Sequence, residues 1–316
     1  MCELKTSPLF KGLTSPEFQN FRFHFSMSET TFTPWSKYWD KKEMIEVPGR
    51  GSFNTYSNEG KSNYVIVCVH GAGHSALSFS LFASLLKGAF KIFAYDLKCH
   101  GDTPGDESKD LGINSLVDDL IEFCKVVQPE NTHLIVMGHS LGGSIAARAA
   151  LSHHMSAVIV IDTIEGTATG SMPQMKNILL QRPSYFDSPS EAIEYIATSG
   201  EMMNFESAAV SAQGRFKTDE EGRLVWRTDL IKCEKDWMGW FEGFADAFLK
   251  SRPYKVLVLP DINRLDTPFT IGHMSGKFQL EVILETNHCI HEDQPNHVAS
   301  MVVKLVKRLS TTHQWD

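Results

Sequence analysis

The chain has 316 residues, 42% hydrophobic and 22% charged, which is the usage of an ordinary folded protein and excludes a disordered or fibrous one. Its 38 acidic and 30 basic residues leave a formal charge of -8, which argues against nucleic acid or an anionic membrane surface as partner. Six widely spaced cysteines without a CxxC pair read as reduced thiols, and neither a signal-peptide pattern nor a run of 18 apolar residues occurs, so a cytosolic or nuclear protein is expected, neither exported nor membrane-spanning.

Residues 1–33, rich in Ser, Thr and Phe without a period, read as a loosely attached extension, and 34–316 as one domain. The segments "EMIEVPG" and "SFNTYSNEG" predict an antiparallel hairpin. After it come the strand-length apolar runs "YVIVCVH", "KIFAYDL", "HLIVMG", "AVIVID", "KVLVLP" and "QLEVIL". Helical patterns lie between them at about 75–87, 114–127 and 141–152, and a helical insertion runs from about 163 to 250. Strands apolar on both faces and alternating with helices predict an α/β fold, a mostly parallel sheet covered on two sides.

In "HLIVMGHSLGGSIAARAA" the strand meets G-x-S-x-G and passes straight into a helix. Ser140 then occupies a sharp, strained turn above the carboxyl ends of the strands, where open α/β sheets bind ligands. Gly138 and Gly142 give strand and helix the space to approach. The alternative is a glycine-rich turn with no chemistry, but a hydroxyl raised at that junction fits a nucleophile.

A serine hydroxyl is a weak nucleophile, so it needs a base, an acid to orient the base, and donors for the oxyanion. The backbone N–H of Leu141 and one from the loop His70-Gly71-Ala72-Gly73-His74, most simply Ala72, are the candidate donors. After the last strand, "NHCIHED" offers His288 as base, since His291 lies with Glu292 and Asp293 in what reads as the solvated start of the final helix. The spacing of His288, His291 and Glu292 could hold a metal, but no second cluster completes a site; neither metal nor organic cofactor is expected. For the acid, spacing leaves Asp261 or Asp266 in "LPDINRLD" open against Asp162 at the end of "AVIVID".

The segments "HGAGHSALSF", "DLKCHGDT", "GHSLGGSIAARAA", "VIVIDTIEGTA", "NILLQRPSYFDSPSEAIEYIATSGEMMNFESAAVS", "WRTDLIKCEKDWMGWFEGF" and "NRLDTPFTIGHMSGKFQLEVILETNHCIHED" together resemble the protein phosphatase methylesterases, a family of α/β-hydrolase fold, from about Pro34 to the last helix. The resemblance implies a serine carboxylesterase that removes the methyl ester from the C-terminal leucine of the protein phosphatase 2A catalytic subunit. It places the nucleophile on Ser140, the acid on Asp162 and the base on His288, with Asp266 as the alternative acid. The chain departs from the family's animal members where "QGRFKTDEEGRLVW" stands short in place of a long acidic insertion, and Asn287 precedes His288 where glycine is usual. In this reading the insertion is a substrate lid. Among its apolar residues Met172, Met175, Met202, Met203, Phe205, Trp237, Met238, Trp240 and Phe241, most are expected in the core and the rest at a mouth for an apolar tail. The competing functions are a general small-ester hydrolase and a protein that sequesters the phosphatase without chemistry.

Overall fold

The computed structural model describes residues 31–312. The expected N-terminal extension lies outside the described residues up to position 30. Phe32 packs against the insertion's own apolar cluster, and the Thr33 N–H donates to the Ala209 carbonyl at 2.9 Å, so these two positions are anchored.

Strands β1 (Lys41–Val47) and β2 (Gly51–Asn58) form the expected hairpin, and β3 (Tyr64–Val69) leads through a 3-10 turn at Ala76–Phe79 into α1 (Ser80–Leu85). Then follow β4 (Lys91–Tyr95), α2 (Ile113–Val127), β5 (His133–His139), α3 (Leu141–Ala149) and β6 (Ala157–Ile161). The insertion contains α4 (Glu165–Gln181), β7 (Tyr185–Phe186), α5 (Pro189–Thr198), α6 (Phe205–Arg215), β8 (Phe216–Thr218), β9 (Leu224–Trp226), α7 (Trp237–Phe241) and α8 (Phe244–Lys250). The chain closes with β10 (Tyr254–Leu259), α9 (Thr267–Met274), β11 (Gln279–Val282), α10 (Ile290–Asp293) and α11 (Pro295–Thr312).

The main sheet has the order β1-β2-β4-β3-β5-β6-β10-β11, parallel from β4 onward and antiparallel at the hairpin edge. Its central strands are apolar at every position because each face has its own core. On β3, Val65, Val67 and Val69 join one cluster with residues of α2, α3 and α8, while Ile66 and Cys68 join a second with residues of α1 and α11. Period-two alternation puts successive side chains on opposite faces, so both parities must be hydrophobic.

The insertion is not wholly helical, as the sequence pattern had implied. A three-stranded antiparallel sheet, β7-β9-β8, is held by an aromatic cluster of Phe186, Phe216 and Trp226, with the Arg182 guanidinium 4.1 Å over the Trp226 ring. Strands of two or three residues are too short to show a period. Of the apolar residues expected there, Met172, Met202, Trp237, Trp240 and Phe241 are buried, whereas Met203, Phe205 and Met238 are about half exposed.

The junction of β5 and α3 fixes the rest. A Cβ on Gly142 would stand 2.1 Å from the Val69 carbonyl oxygen, and one on Gly138 would stand 2.1 Å from that of Gly142. Both neighbours are backbone and cannot swing away. Gly142→Ala should therefore cost about 3 kcal/mol or more in denaturant unfolding. Gly170→Ala, on the exposed face of α4 with nothing within 4 Å, should gain up to about 1 kcal/mol from helix propensity alone. Equal midpoints for the two variants would remove the close-approach argument.

Candidate active site

Ser140 sits at the turn between β5 and α3 with φ 51° and ψ -118°, a left-handed backbone that a serine adopts only under constraint. The constraint is visible. Its N–H donates to the Ile161 carbonyl at 3.0 Å, and its carbonyl accepts from Gly143 N–H at 2.9 Å and from the Thr163 hydroxyl at 2.9 Å. Ser140 Oγ itself makes no hydrogen bond among the described residues.

The loop His70–His74 is shaped by two imidazoles acting as acceptors. His70 Nε2 accepts the Leu97 N–H at 2.9 Å while its Nδ1–H donates to the Gly71 carbonyl at 2.8 Å. His100 Nε2 accepts the Gly73 N–H at 2.9 Å while its Nδ1–H donates to the Lys98 carbonyl at 2.8 Å. Acceptor roles require neutral rings. Burial supplies them, holding His70 well below the usual histidine range and His100 down at about 4. With Gly73 committed to His100, the N–H groups of Ala72 and Leu141 have no hydrogen-bond partner among the described residues.

His288 follows β11, and its Nδ1 lies 2.7 Å from Asp162 Oδ2. Asp162, at the end of β6, is 3% exposed and also adopts a positive φ of 49°. The other candidate acids are used elsewhere. Asp266 caps α9 by accepting the Phe269 N–H at 3.2 Å and also accepts from Gly166 N–H at 3.0 Å. Asp261, exposed, caps the short 3-10 turn Ile262–Arg264 by accepting the Asn263 N–H at 2.9 Å. The structure thus brings Asp162 to His288 and leaves Asp266 and Asp261 as helix caps.

Three features escaped the sequence reading. Arg264 Nη1 stands 2.6 Å from both carboxylate oxygens of Asp162, so that carboxylate is shared between an imidazole and a permanent cation. Its only sequence signal was a basic residue in the turn after β10. His139 packs its ring 4.6 Å from that of His288 and directs Nε2 at the His288 carbonyl, 3.1 Å away. Finally, His291 and Glu292 are not in a solvated helix start: they are 0% and 1% exposed. Helix α10 is a four-residue turn covered by α6, whose Ser207 hydroxyl donates to the Glu292 carbonyl at 2.8 Å.

Asp293 ties this turn to the insertion. Its Oδ1 accepts from Met203 N–H at 2.6 Å and Asn204 N–H at 3.2 Å, and its Oδ2 accepts from Asn287 N–H at 2.8 Å. The Cys289 N–H donates to the Glu201 carbonyl at 2.9 Å. The backbone on either side of His288 is therefore fastened to residues 201–204.

Residues 66–300 match the Alpha/beta hydrolase family. Protein phosphatase methylesterase 1 of Rattus norvegicus is 33% identical over 329 residues, covering 88% of this chain and 85% of the relative. The protein of that name from Schizosaccharomyces pombe is 34% identical, with 89% and 86% covered. Among solved structures, E-2-(acetamidomethylene)succinate hydrolase superposes with a TM-score of 0.72 at 16% identity over 84% of this chain and 99% of that one. An esterase of Mycobacterium tuberculosis gives 0.67 at 19% identity over 84% and 92%. At these identities the two structures share the fold.

Burial pushes the Glu292 carboxyl up to about 8, partly opposed by Arg215. Because this value lies above the unfolded one of about 4.3, the stability it represents is complete at low pH and is lost as pH rises through 8. Glu292→Gln keeps the neutral shape. The variant should match wild type near pH 4 and then gain on it by up to about 1.4 kcal/mol per pH unit until about pH 8, measured by urea unfolding. Parallel pH curves would mean that Glu292 is ionised in the fold.

Proposed function

Because the chain belongs to the protein phosphatase methylesterase family of α/β hydrolases, we propose that this carboxylic ester hydrolase removes the methyl ester from the C-terminal leucine of the protein phosphatase 2A catalytic subunit. The observation that carries the reading is the pairing of His288 with Asp162 beside a strained serine, in a chain that aligns with its named relatives over most of both lengths.

In this reading the Nδ1–H of His288 is held by Asp162, which leaves Nε2 unprotonated and free to act as base. Ser140 Oγ gives its proton to Nε2 and attacks the ester carbonyl. The developing oxyanion takes the two unpartnered N–H groups of Ala72 and Leu141, which cost no rearrangement because nothing else engages them. Methanol departs with the proton from His288. Water deprotonated by the same imidazole then cleaves the acyl-enzyme. The contact between Ser140 and His288 forms when the substrate is seated, as active-site hydrogen bonds often tighten only in the complex.

The insertion at about 163–250 serves as a lid within the hydrolase domain of residues 34–316, with the exposed Met203, Phe205 and Met238 available to an apolar tail. A phosphatase substrate implies work in the cytosol or nucleus. The free, buried thiols of Cys68, Cys99, Cys124, Cys233 and Cys289 agree with a reducing compartment, and among the described residues no helix is long and apolar enough to cross a membrane.

The function is tested by incubating the full chain with methylated phosphatase catalytic subunit and measuring released methanol. Wild type should act, with a kcat/KM on the folded subunit well above that on a short methylated leucine peptide, since the larger partner contributes binding energy to alignment. Ser140→Ala should lose both turnover and labelling by a fluorophosphonate. Equal efficiency on peptide and protein would indicate a general small-ester hydrolase; binding without methanol release would indicate a sequestering protein.

Roles of the acids separate cleanly. Asp162→Asn should lower kcat by about 10^4-fold, the loss seen when a triad acid can no longer hold the right imidazole tautomer. Asp266→Asn keeps a capping oxygen and should stay within a few-fold of wild type. The opposite ranking in steady-state assays would transfer the acid's role to Asp266.

A further inference from the structure

Behind the His288 backbone, three residues from separate parts of the chain converge. His74 comes from the loop after β3, His139 from the end of β5, and Cys289 from the start of α10. One ligand atom from each lies within 4.8 Å of the others. All three side chains are buried, at 5%, 0% and 0% exposure.

Two imidazole nitrogens in this cluster are left unused by the packing. His74 Nδ1 and His139 Nδ1 are both buried without a hydrogen-bond partner. In His139 the tautomer is set from outside, because Nε2 faces the His288 carbonyl, an acceptor only, and must carry the proton. Its Nδ1 is then a bare lone pair. A ring whose other nitrogen donates to a backbone carbonyl has the arrangement of a metal-ligating histidine. Nearby, Glu292 Oε1 stands 3.8 Å from His74 Nδ1, and neither oxygen of that carboxyl has a hydrogen-bond partner.

We propose that His74, His139 and Cys289 bind a divalent cation of the zinc class, and that occupancy of this site stalls ester hydrolysis. Two imidazoles and a thiolate are the donor set that borderline-soft cations select over magnesium or calcium. Zinc bonds of about 2.0–2.3 Å in tetrahedral geometry require donors about 3.3–3.7 Å apart, so side-chain adjustments of about 1 Å close the present spread. On binding, the Cys289 thiol loses its proton to solvent and the sulfur joins the metal as thiolate; no oxidation change occurs. The inhibitory effect follows from connectivity. Cys289 is the next residue after His288 and His139 holds the His288 carbonyl, so drawing both toward a metal draws the imidazole away from Ser140.

The binding claim stands alone, and the inhibition claim rests on the serine-esterase reading above. Cobalt(II) added to the metal-free full chain reads binding without any turnover. One equivalent should produce a thiolate-to-cobalt charge-transfer band together with the visible absorption of a tetrahedral ion, and zinc should displace it. Cys289→Ala should abolish the band, with folding checked by circular dichroism. Zinc should then inhibit wild-type hydrolysis of an activated small ester at least tenfold, reversibly with EDTA, while Cys289→Ala keeps its activity within about twofold and ignores zinc. Absence of the band in wild type, or the same band in Cys289→Ala, overturns the site. Equal zinc inhibition of both proteins overturns the mechanism, since the metal would then be acting on Ser140 or His288 directly. A chain that binds cobalt as described but hydrolyses no ester sinks the esterase reading and leaves the site standing.

Discussion

Everything at this site depends on how closely α3 approaches the ends of β5 and β3. Gly142 sits with its Cα against the Val69 carbonyl, and Gly138 sits against Gly142. No side chain of any size fits at either position. The backbone must then reverse within one residue, and that residue, Ser140, is driven to positive φ with its hydroxyl raised. The strain is held by bonds to β6 and the residue after it, Ser140 N–H to Ile161 and Thr163 Oγ1 to the Ser140 carbonyl, and by the Gly143 and Ser144 N–H groups of α3 donating to the same carbonyl. Because Thr163 follows Asp162, the element that restrains the serine also presents the carboxylate to His288.

A second consequence of tight packing is the protonation of the surrounding histidines. His70, His74, His100, His139 and His291 are buried, and burial lowers the affinity of each for a second proton. For His70 and His100 neutrality is structural, since both accept backbone N–H groups that an imidazolium could not. These acceptors consume the N–H of Gly73 and Leu97 and leave that of Ala72 open. Asp96 completes the support from below. It accepts from Asn54, from Ala76 N–H and from Asp102 N–H, and burial lifts its carboxyl to about 6.

The sequence made the sheet legible because both faces are buried: runs such as "YVIVCVH" and "AVIVID" admit no polar parity. It made the turn at Ser140 legible because Gly138 and Gly142 flank a serine between strand and helix. Which aspartate meets His288 was not legible from spacing. Asp162, Asp261 and Asp266 all follow strands, and only the fold shows that the latter two spend their oxygens on helix N-termini. The "HED" after Ile290 reads as the charged first turn of an exposed helix, yet α6 crosses over it, a contact between segments about 85 residues apart that no local pattern encodes. Arg264 was hidden for the same reason. Its partner Asp162 lies 102 positions away, and an arginine in a turn is ordinarily solvated.

The same long-range contacts decide what the insertion does to the chemistry. Asp293 receives the amides of Met203 and Asn204 on one oxygen and that of Asn287 on the other, while Glu201 receives the amide of Cys289. His288 therefore hangs from a short loop clamped on both sides to the insertion. Its imidazole, 37% exposed, meets Asp162, which Arg264 also holds from the turn after β10. Residues 201–204 are thus joined to the loop of His288 by three amide bonds to the Asp293 carboxylate and one backbone bond, from Cys289 to Glu201, whereas Asp162 and Ser140 sit at the ends of sheet strands. In the proposed reaction, Met203 and Phe205, the exposed apolar residues of that segment, are where a bound tail would press. Binding energy gained there acts on the member of the site whose loop is tied to the insertion, so a partner large enough to engage the insertion contributes to alignment as well as to affinity.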